Sequence, residues 1–130
     1  MADKLAILIN SCDAYDDLWD PFFKLFSIMW KDCQYPLFLN TESKVFNAPY
    51  ISVTSLHPKK TNLSWSHRLK LALQQIDSDY VLMLLDDFFL MSPVRTEVIS
   101  QVVNWMEQDN FIACVRVENC VIFMRILRVN

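Results

Sequence analysis

The stretch Tyr80–Leu90, YVLMLLDDFFL, constrains this chain more than any other. An apolar run stops at two adjacent carboxylates, Asp86 and Asp87, and apolar residues resume at once. Strands buried on both faces of a parallel sheet read as continuous apolar runs. Such strands belong to α/β domains, whose ligands collect outside the carboxyl ends of the strands. Two carboxylates at that place are costly, because like charges in contact raise each other's pKa. A divalent cation relieves the cost, since hard cations take carboxylate oxygens and bridge to substrate phosphates. The pair therefore reads as a metal–phosphate site at the end of a central strand. It reads equally as the start of a turn, because Asp side chains hydrogen-bond nearby backbone amides. Phe88, Phe89 and Leu90 predict that the segment stays buried beyond the acids, which sets it apart from a solvated turn.

The chain has 130 residues, 53% of them hydrophobic and 21% charged, enough for one domain with its own core. A net charge of −3 gives no general attraction for nucleic acid. The aromatics fall mostly within apolar patterns and lack basic neighbours, so no nucleic-acid partner is expected. No apolar stretch approaches the roughly 20 residues that span a bilayer, so no transmembrane segment is expected. The amino-terminal MADKLAILINSCD lacks a small-residue cleavage site, and no signal peptide is read there. Cys12, Cys33, Cys114 and Cys120 have no paired metal spacing and read as buried thiols of a reducing compartment. His57 and His67 offer no zinc spacing either.

Glycine is absent, where an average usage of about 7% would give about nine. Neither the P-loop nor the GxGxxG dinucleotide fingerprint can be present. A phosphate bound by this chain must be held by a metal, by side chains or by a helix N-terminus.

Along the chain, Leu5–Ile9 reads as a buried strand that runs into a polar turn, Asn10–Asp17. Asp20 and Pro21 read as a cap and first position of a helix to about Lys31, with Phe22, Leu25, Phe26 and Met29 at helical spacing. Residues 36–39 and 50–55 read as strands, with a loop at 40–47 between them. His57–Asn62 reads as a polar loop, with Lys59 and Lys60 solvated. Ser64 caps a helix to Ile76 with a broad apolar stripe of Leu69, Leu71, Ala72, Leu73 and Ile76. Tyr80–Leu85 is the strand that ends at the acids. Thr96 caps a helix to about Gln108 with Val98, Ile99, Val102, Val103 and Met106 inward, and Phe111–Val117 reads as a further strand. The tail from Glu118 to Asn130 reads either as a last strand or as the altered end of a longer protein.

Strands alternating with helices predict an α/β fold, a three-layer α/β/α sandwich with a mainly parallel sheet. Right-handed crossovers then bring Asn10–Asp17 and Asp86–Asp87 to one edge. Residues 1–117 form the domain, and 118–130 are left as a tail.

The order strand, SCDAYDDLWDPFFKLF, YPLFLNTE, WSHRLKLALQQI and YVLMLLDDFFL resembles bacterial glycosyltransferases of the GT-A fold, of the capsule and lipopolysaccharide type. The resemblance runs from about Leu5 to Val117. It implies a Rossmann-like GT-A fold with a nucleotide-sugar donor across the end of the first strand. It also implies a glycan or lipid-linked acceptor, and Mn²⁺ or Mg²⁺ on the diphosphate. Carried onto this sequence, Asp87 is the metal ligand, and Asp86 faces the ribose or a metal-bound water. Asp13, with Ser11 and Tyr15, meets the base and ribose. Arg68 neutralises diphosphate charge, and Trp65 shapes the pocket. No catalytic residue is assigned.

The location implied is cytoplasmic, or peripheral at the inner membrane face. The usual motif has one residue between its two acids, whereas Asp86 and Asp87 adjoin. Members of the family are also longer, which implies a donor-binding part whose uncovered sheet surface favours self-association.

The same residues have plainer readings. Asp13, Asp16 and Asp17 suit a solvated turn and a helix N-terminus. A helical Arg68 suits a surface charge with a packed stem, and Trp65 suits core. Two further functions share the pattern: a donor-domain fragment without turnover, and metal-dependent phosphoryl transfer on a receiver-like domain. The latter calls for a Lys on a later strand, where Phe111–Val117 offers Arg116.

Overall fold

The computed structural model describes residues 4–57, 63–117 and 121–126. Its strands are β1 (Leu5–Asn10), β2 (Leu37–Asn40), β3 (Thr54–Leu56), β4 (Tyr80–Leu85), β5 (Cys114–Val117) and β6 (Val121–Arg125). Its α-helices are α1 (Trp19–Met29), α2 (Trp65–Gln75) and α3 (Thr96–Gln108). The strands make one six-stranded sheet in the order β3-β2-β1-β4-β6-β5. β1 pairs with β2 and with β4 in parallel, and β2 pairs with β3 in parallel. β6 runs antiparallel to both β4 and β5. The sheet is therefore mixed: β1 to β4 pair in parallel, and β6 enters antiparallel because it pairs back on β5 instead of arriving by a crossover.

The helices lie on both faces. α1 and α3 cover Leu5, Ile7, Ile9, Leu37, Leu39, Leu82 and Leu84. α2 covers Ala6, Leu8, Val81 and Met83 on the other face. This alternation along β1 and β4 is the period-two pleat of a strand buried on both sides. α1 presents Trp19, Phe22, Phe23 and Phe26 at the i, i+3, i+4, i+7 spacing of a single buried stripe. Phe23 stacks on Phe46 at 4.9 Å, so the loop after β2 is drawn over the same aromatic cluster.

Several local expectations are corrected. The Asn10–Asp17 turn is largely a 3-10 helix, Asp13–Leu18. α1 starts at Trp19, so Asp20 and Pro21 lie inside its first turn, where a missing amide costs nothing. The predicted strand at 50–55 shrinks to β3, because Ala48 and Ile51 bridge around a Pro49–Tyr50 turn. Thr96 begins α3 without capping it. Its hydroxyl instead donates to Asp32 and accepts from the Trp30 indole. On α2 the fully buried residues are Arg68 and Ala72, with Leu69 and Leu73 only partly covered. Phe111 lies outside β5 in solvent. Cys12 and Cys33 are half-buried and Cys114 is exposed, so these thiols are not core residues.

Residues 121–125 of the tail do form a strand. β6 is stitched down by Arg125, whose guanidinium donates to the carbonyls of Met106 and Asp109 at the end of α3. It also lies 5.2 Å from the Tyr80 ring centre. A cation at a helix C-terminus satisfies carbonyls that have no helical partner. Residues 58–62, which include Lys59 and Lys60, and residues 118–120 and 127–130 lie outside the described residues. No helix among the described residues is long and apolar enough to cross a membrane.

Candidate functional site

Four parallel strands end at one edge of the sheet, and the polar residues collect there. β1 runs apolar from Leu5 to Ile9 and then ends in Asn10 and Ser11, both buried. β4 runs apolar from Tyr80 to Leu85 and then reaches Asp86, also buried. Asn10 sits beside Leu85 in the parallel register, so Ser11 and Asp86 follow as neighbours. The Ser11 hydroxyl donates to Asp86 Oδ2. The two loops predicted to meet at one edge are joined by this bond.

Leu85–Phe88 forms a turn closed by the Phe88 amide on the Leu85 carbonyl at 3.2 Å, with Asp86 and Asp87 at its centre. The turn reading and the buried-acid reading thus hold together. Asp86 is 7% exposed, whereas Asp87 points to solvent. Burial pushes the Asp86 carboxyl up from its ordinary value and outweighs the Ser11 hydrogen bond that lowers it, with the Asp87 charge adding to the rise. The apolar residues after the acids do not bury them further: Phe88 is 48% exposed. Phe89 and Leu90 turn inward and pack against the core, Phe89 tilted against Phe22 at 6.2 Å.

Arg68 comes from the second turn of α2. Ser64 caps that helix by accepting from the His67 amide at 3.3 Å. Arg68 is 7% exposed, and its Nη1 donates to the Ser11 carbonyl at 3.0 Å. No carboxylate among the described residues forms an ion pair with it. It is a buried cation rather than the surface charge a helical Arg usually is. A buried charge is strongly unfavourable unless paired or hydrogen-bonded, and here the Ser11 carbonyl supplies a hydrogen bond.

Asp13 is placed differently from Asp86. Its Oδ1 accepts from the amides of Glu42 at 3.1 Å, Ser43 at 3.2 Å and Lys44 at 3.2 Å. Its Oδ2 accepts from the Ser43 hydroxyl at 2.6 Å. The Asp13 amide in turn donates to the Glu42 carboxylate at 3.0 Å, and Lys44 pairs with Asp16 at 2.6 Å. Burial raises the Asp13 carboxyl, but the Ser43 hydroxyl and the three amides outweigh it and hold the group down to about 2. Asp13 clasps the loop after β2 to the loop after β1.

Tyr15 and Trp65 are both exposed, Trp65 at 54%, on the loop after β1 and at the first position of α2. Trp65 is therefore a rim residue and not core. The structure brings together Ser11, Arg68, Asp86 and Asp87; it ties Asp13 to the 42–44 loop instead.

Three participants escaped the sequence reading. Trp19 donates its indole N–H to Ser11 Oγ at 2.7 Å. Asn40 Nδ2 donates to Asn10 Oδ1 at 2.8 Å, in the buried gap between β1 and β2. The signal for the two asparagines was present, since each closes an otherwise apolar strand. Trp19 carried none, because it opens an aromatic stripe that reads as core. A groove of about 420 Å³ lined by Trp30, Cys33, Tyr35 and Tyr50 lies elsewhere and shares no residue with this cluster. No protein-family model matches the chain, and no curated protein matches it.

Proposed function

We propose that this chain is the donor-binding part of a metal-dependent glycosyltransferase, holding a nucleotide-diphosphate sugar at the carboxyl edge of the sheet. The GT-A sandwich is the fold this reading takes. The observation that carries it is Arg68, a buried guanidinium that has no carboxylate partner among the described residues and donates to the carbonyl of Ser11, whose hydroxyl holds Asp86. A diphosphate is an anion that fits a fork of guanidinium donors. A lone phosphate would fit too, but the polar floor of Asn10 and Asn40 and the exposed rings of Tyr15 and Trp65 suit a larger ligand with a base and sugar.

In this reading Asp86 and Asp87, adjacent in the turn after β4, offer carboxylate oxygens to one hard metal ion. Asp87 is the exposed ligand, and Asp86 is held by Ser11. Among the described residues no group of three His, Cys, Asp or Glu converges. That donor set fits a cation that keeps waters and completes its shell with substrate phosphates, rather than one caged by protein. When bound, Mn²⁺ or Mg²⁺ would stabilise charge on the leaving diphosphate. The chain's own residues orient the donor: Arg68 holds phosphate oxygens, Asp86 is fixed by Ser11, and Asp13 holds the 42–44 loop as a wall.

Transfer also requires a base within hydrogen-bond reach of an acceptor hydroxyl. Of the acids after Asp87, Glu97 pairs with Arg95, Glu107 pairs with Lys4 ahead of the amino end of β1, and Asp109 accepts from the Phe111 amide, while Glu118 lies outside the described residues. The chain is therefore read as binding a donor while transferring little of it, whether to a glycan or to a lipid-linked acceptor. Phosphoryl transfer on a receiver-like domain finds no matching Lys on β5.

The test is thermal unfolding with Mn²⁺ and a nucleoside diphosphate. A ligand at a hundredfold excess over its Kd stabilises by about 2.7 kcal/mol. The expected result is a raised melting temperature that is lost in Asp87→Asn, in Arg68→Met and with EDTA. An equal rise in EDTA would reject the metal role, and no rise at all would reject the donor site.

A further inference from the structure

We propose that Trp19 is a positioning residue for the carboxyl-edge site: acting through the Ser11 hydroxyl, it fixes the orientation of the Asp86 carboxylate. The proposal deepens the donor-site reading and rests on it for its functional consequence. Its chemistry rests on three contacts.

An indole N–H donates and cannot accept. The 2.7 Å contact from Trp19 to Ser11 therefore has one polarity. Ser11 Oγ accepts, and its single proton is left to be donated. Asp86 Oδ2 receives it. The other acceptor in range, the Cys12 carbonyl, is 3.4 Å away, beyond a good hydroxyl hydrogen bond. Trp19 thus sets the rotor of Ser11, and Ser11 holds Asp86 in one orientation as an acceptor. The Arg68 guanidinium pins the carbonyl of the same serine. Ser11 is clamped at both its side chain and its backbone.

The identity of residue 19 supports a directing role. Trp19 is 3% exposed and stands edge-on to Phe46 at 6.5 Å. Phe would fill much of that space without burying a polar atom. A buried indole N–H is unfavourable unless it finds a partner, and its partner here is the residue that holds the site acid. The chain of contacts runs from the rigid aromatic core to the ligand edge, which is how a core residue can orient a polar group at a surface.

Nitrogen-15 spectra of the full chain labelled at tryptophan test the relay without any ligand. The Trp19 indole signal is identified by its loss in Trp19→Phe. Ser11→Ala and Asp86→Ala should each move that signal, Ser11→Thr should restore it, and Asp87→Asn should leave it in place. An indole signal unmoved by Asp86→Ala overturns the relay. The consequence is then read by titration with Mn²⁺ alone. Trp19→Phe should weaken Mn²⁺ binding about fivefold, the effect of one ordinary hydrogen bond. The Trp19→Phe, Ser11→Ala double variant should bind no more weakly than Ser11→Ala. Wild-type affinity in Trp19→Phe, or additive losses in the double variant, overturns the positioning role. Absence of Mn²⁺ binding by the wild-type chain would instead reject the metal reading, and the indole shift would still decide the relay.

Discussion

Ser11 joins four parts of the fold: its hydroxyl accepts from Trp19 and donates to Asp86, its carbonyl accepts from Arg68, and its amide donates to the Asn40 carbonyl. Asp86 and Asp13 show how such bonding divides two chemically identical groups. Asp86 is an acid whose folded pKa is raised, mainly by burial. It binds its proton more tightly folded than unfolded, so its own contribution to stability is fully present below the ordinary value of 3.8 and is lost as pH rises through the raised value. Asp86→Asn should therefore raise the urea midpoint at pH 7, by about 1 kcal/mol in stability, because the amide oxygen can still accept from Ser11. An unchanged or lowered midpoint would show that the charge itself holds the edge together. Asp13 has the opposite sign, being held down to about 2. Its contribution is present above the ordinary carboxylate value of 3.8 and is lost as pH falls through that value toward 2. Asp13→Asn should cost about 1–2 kcal/mol at pH 7, and the difference from wild type should vanish near pH 2. Urea unfolding at a series of pH values measures both.

At the scale of elements, α2 matters more for what it points than for what it buries. It covers its face of the sheet with Ala72 and the partly buried Leu69 and Leu73, a thinner contact than α1 makes. Its N-terminus is held by the Ser64 cap, four residues before Arg68. Ser64→Ala should lower stability by about 1 kcal/mol, the usual cost of a lost N-cap. If the cap also sets the angle of Arg68, nucleoside diphosphate binding should weaken more than stability alone explains. Calorimetry on Ser64→Ala below its melting range separates the two, and unchanged binding would limit the cap to a stability role. α1 was legible as a helix from its aromatic spacing, but its start was not. Asp20 and Pro21 fit a cap and first position and equally fit the first turn. The choice fell to Trp19, which the core and Ser11 both hold.

For the whole molecule, the sheet ends in two edges of different character. β3 is three residues long, a short edge that offers little to another chain. β5 is longer, its Cys114 is exposed, and Phe111 just before it is 98% exposed. Among the described residues nothing pairs with the outer side of β5, and an open edge strand beside an exposed ring is where self-association is to be tested. Cys114→Lys should shift sedimentation toward monomer at a given concentration while leaving the melting temperature nearly unchanged. Equal association in that variant would place the contact elsewhere. The α/β class, the buried strands β1 and β4 and the meeting of their carboxyl ends at one edge were legible in the amino-acid order alone. These follow from local periodicity and from the handedness of crossovers, which a single chain carries in full. Three-dimensional contact alone settles that β6 returns antiparallel, that Arg68 is buried with no carboxylate paired to it among the described residues, that Asp13 serves the 42–44 loop, and that Trp19 directs its indole to Ser11. Each of those depends on contacts between residues distant in sequence. Hydrogen-bond direction and burial at such contacts leave no periodic trace, because they are set by which surfaces meet and not by how residues repeat.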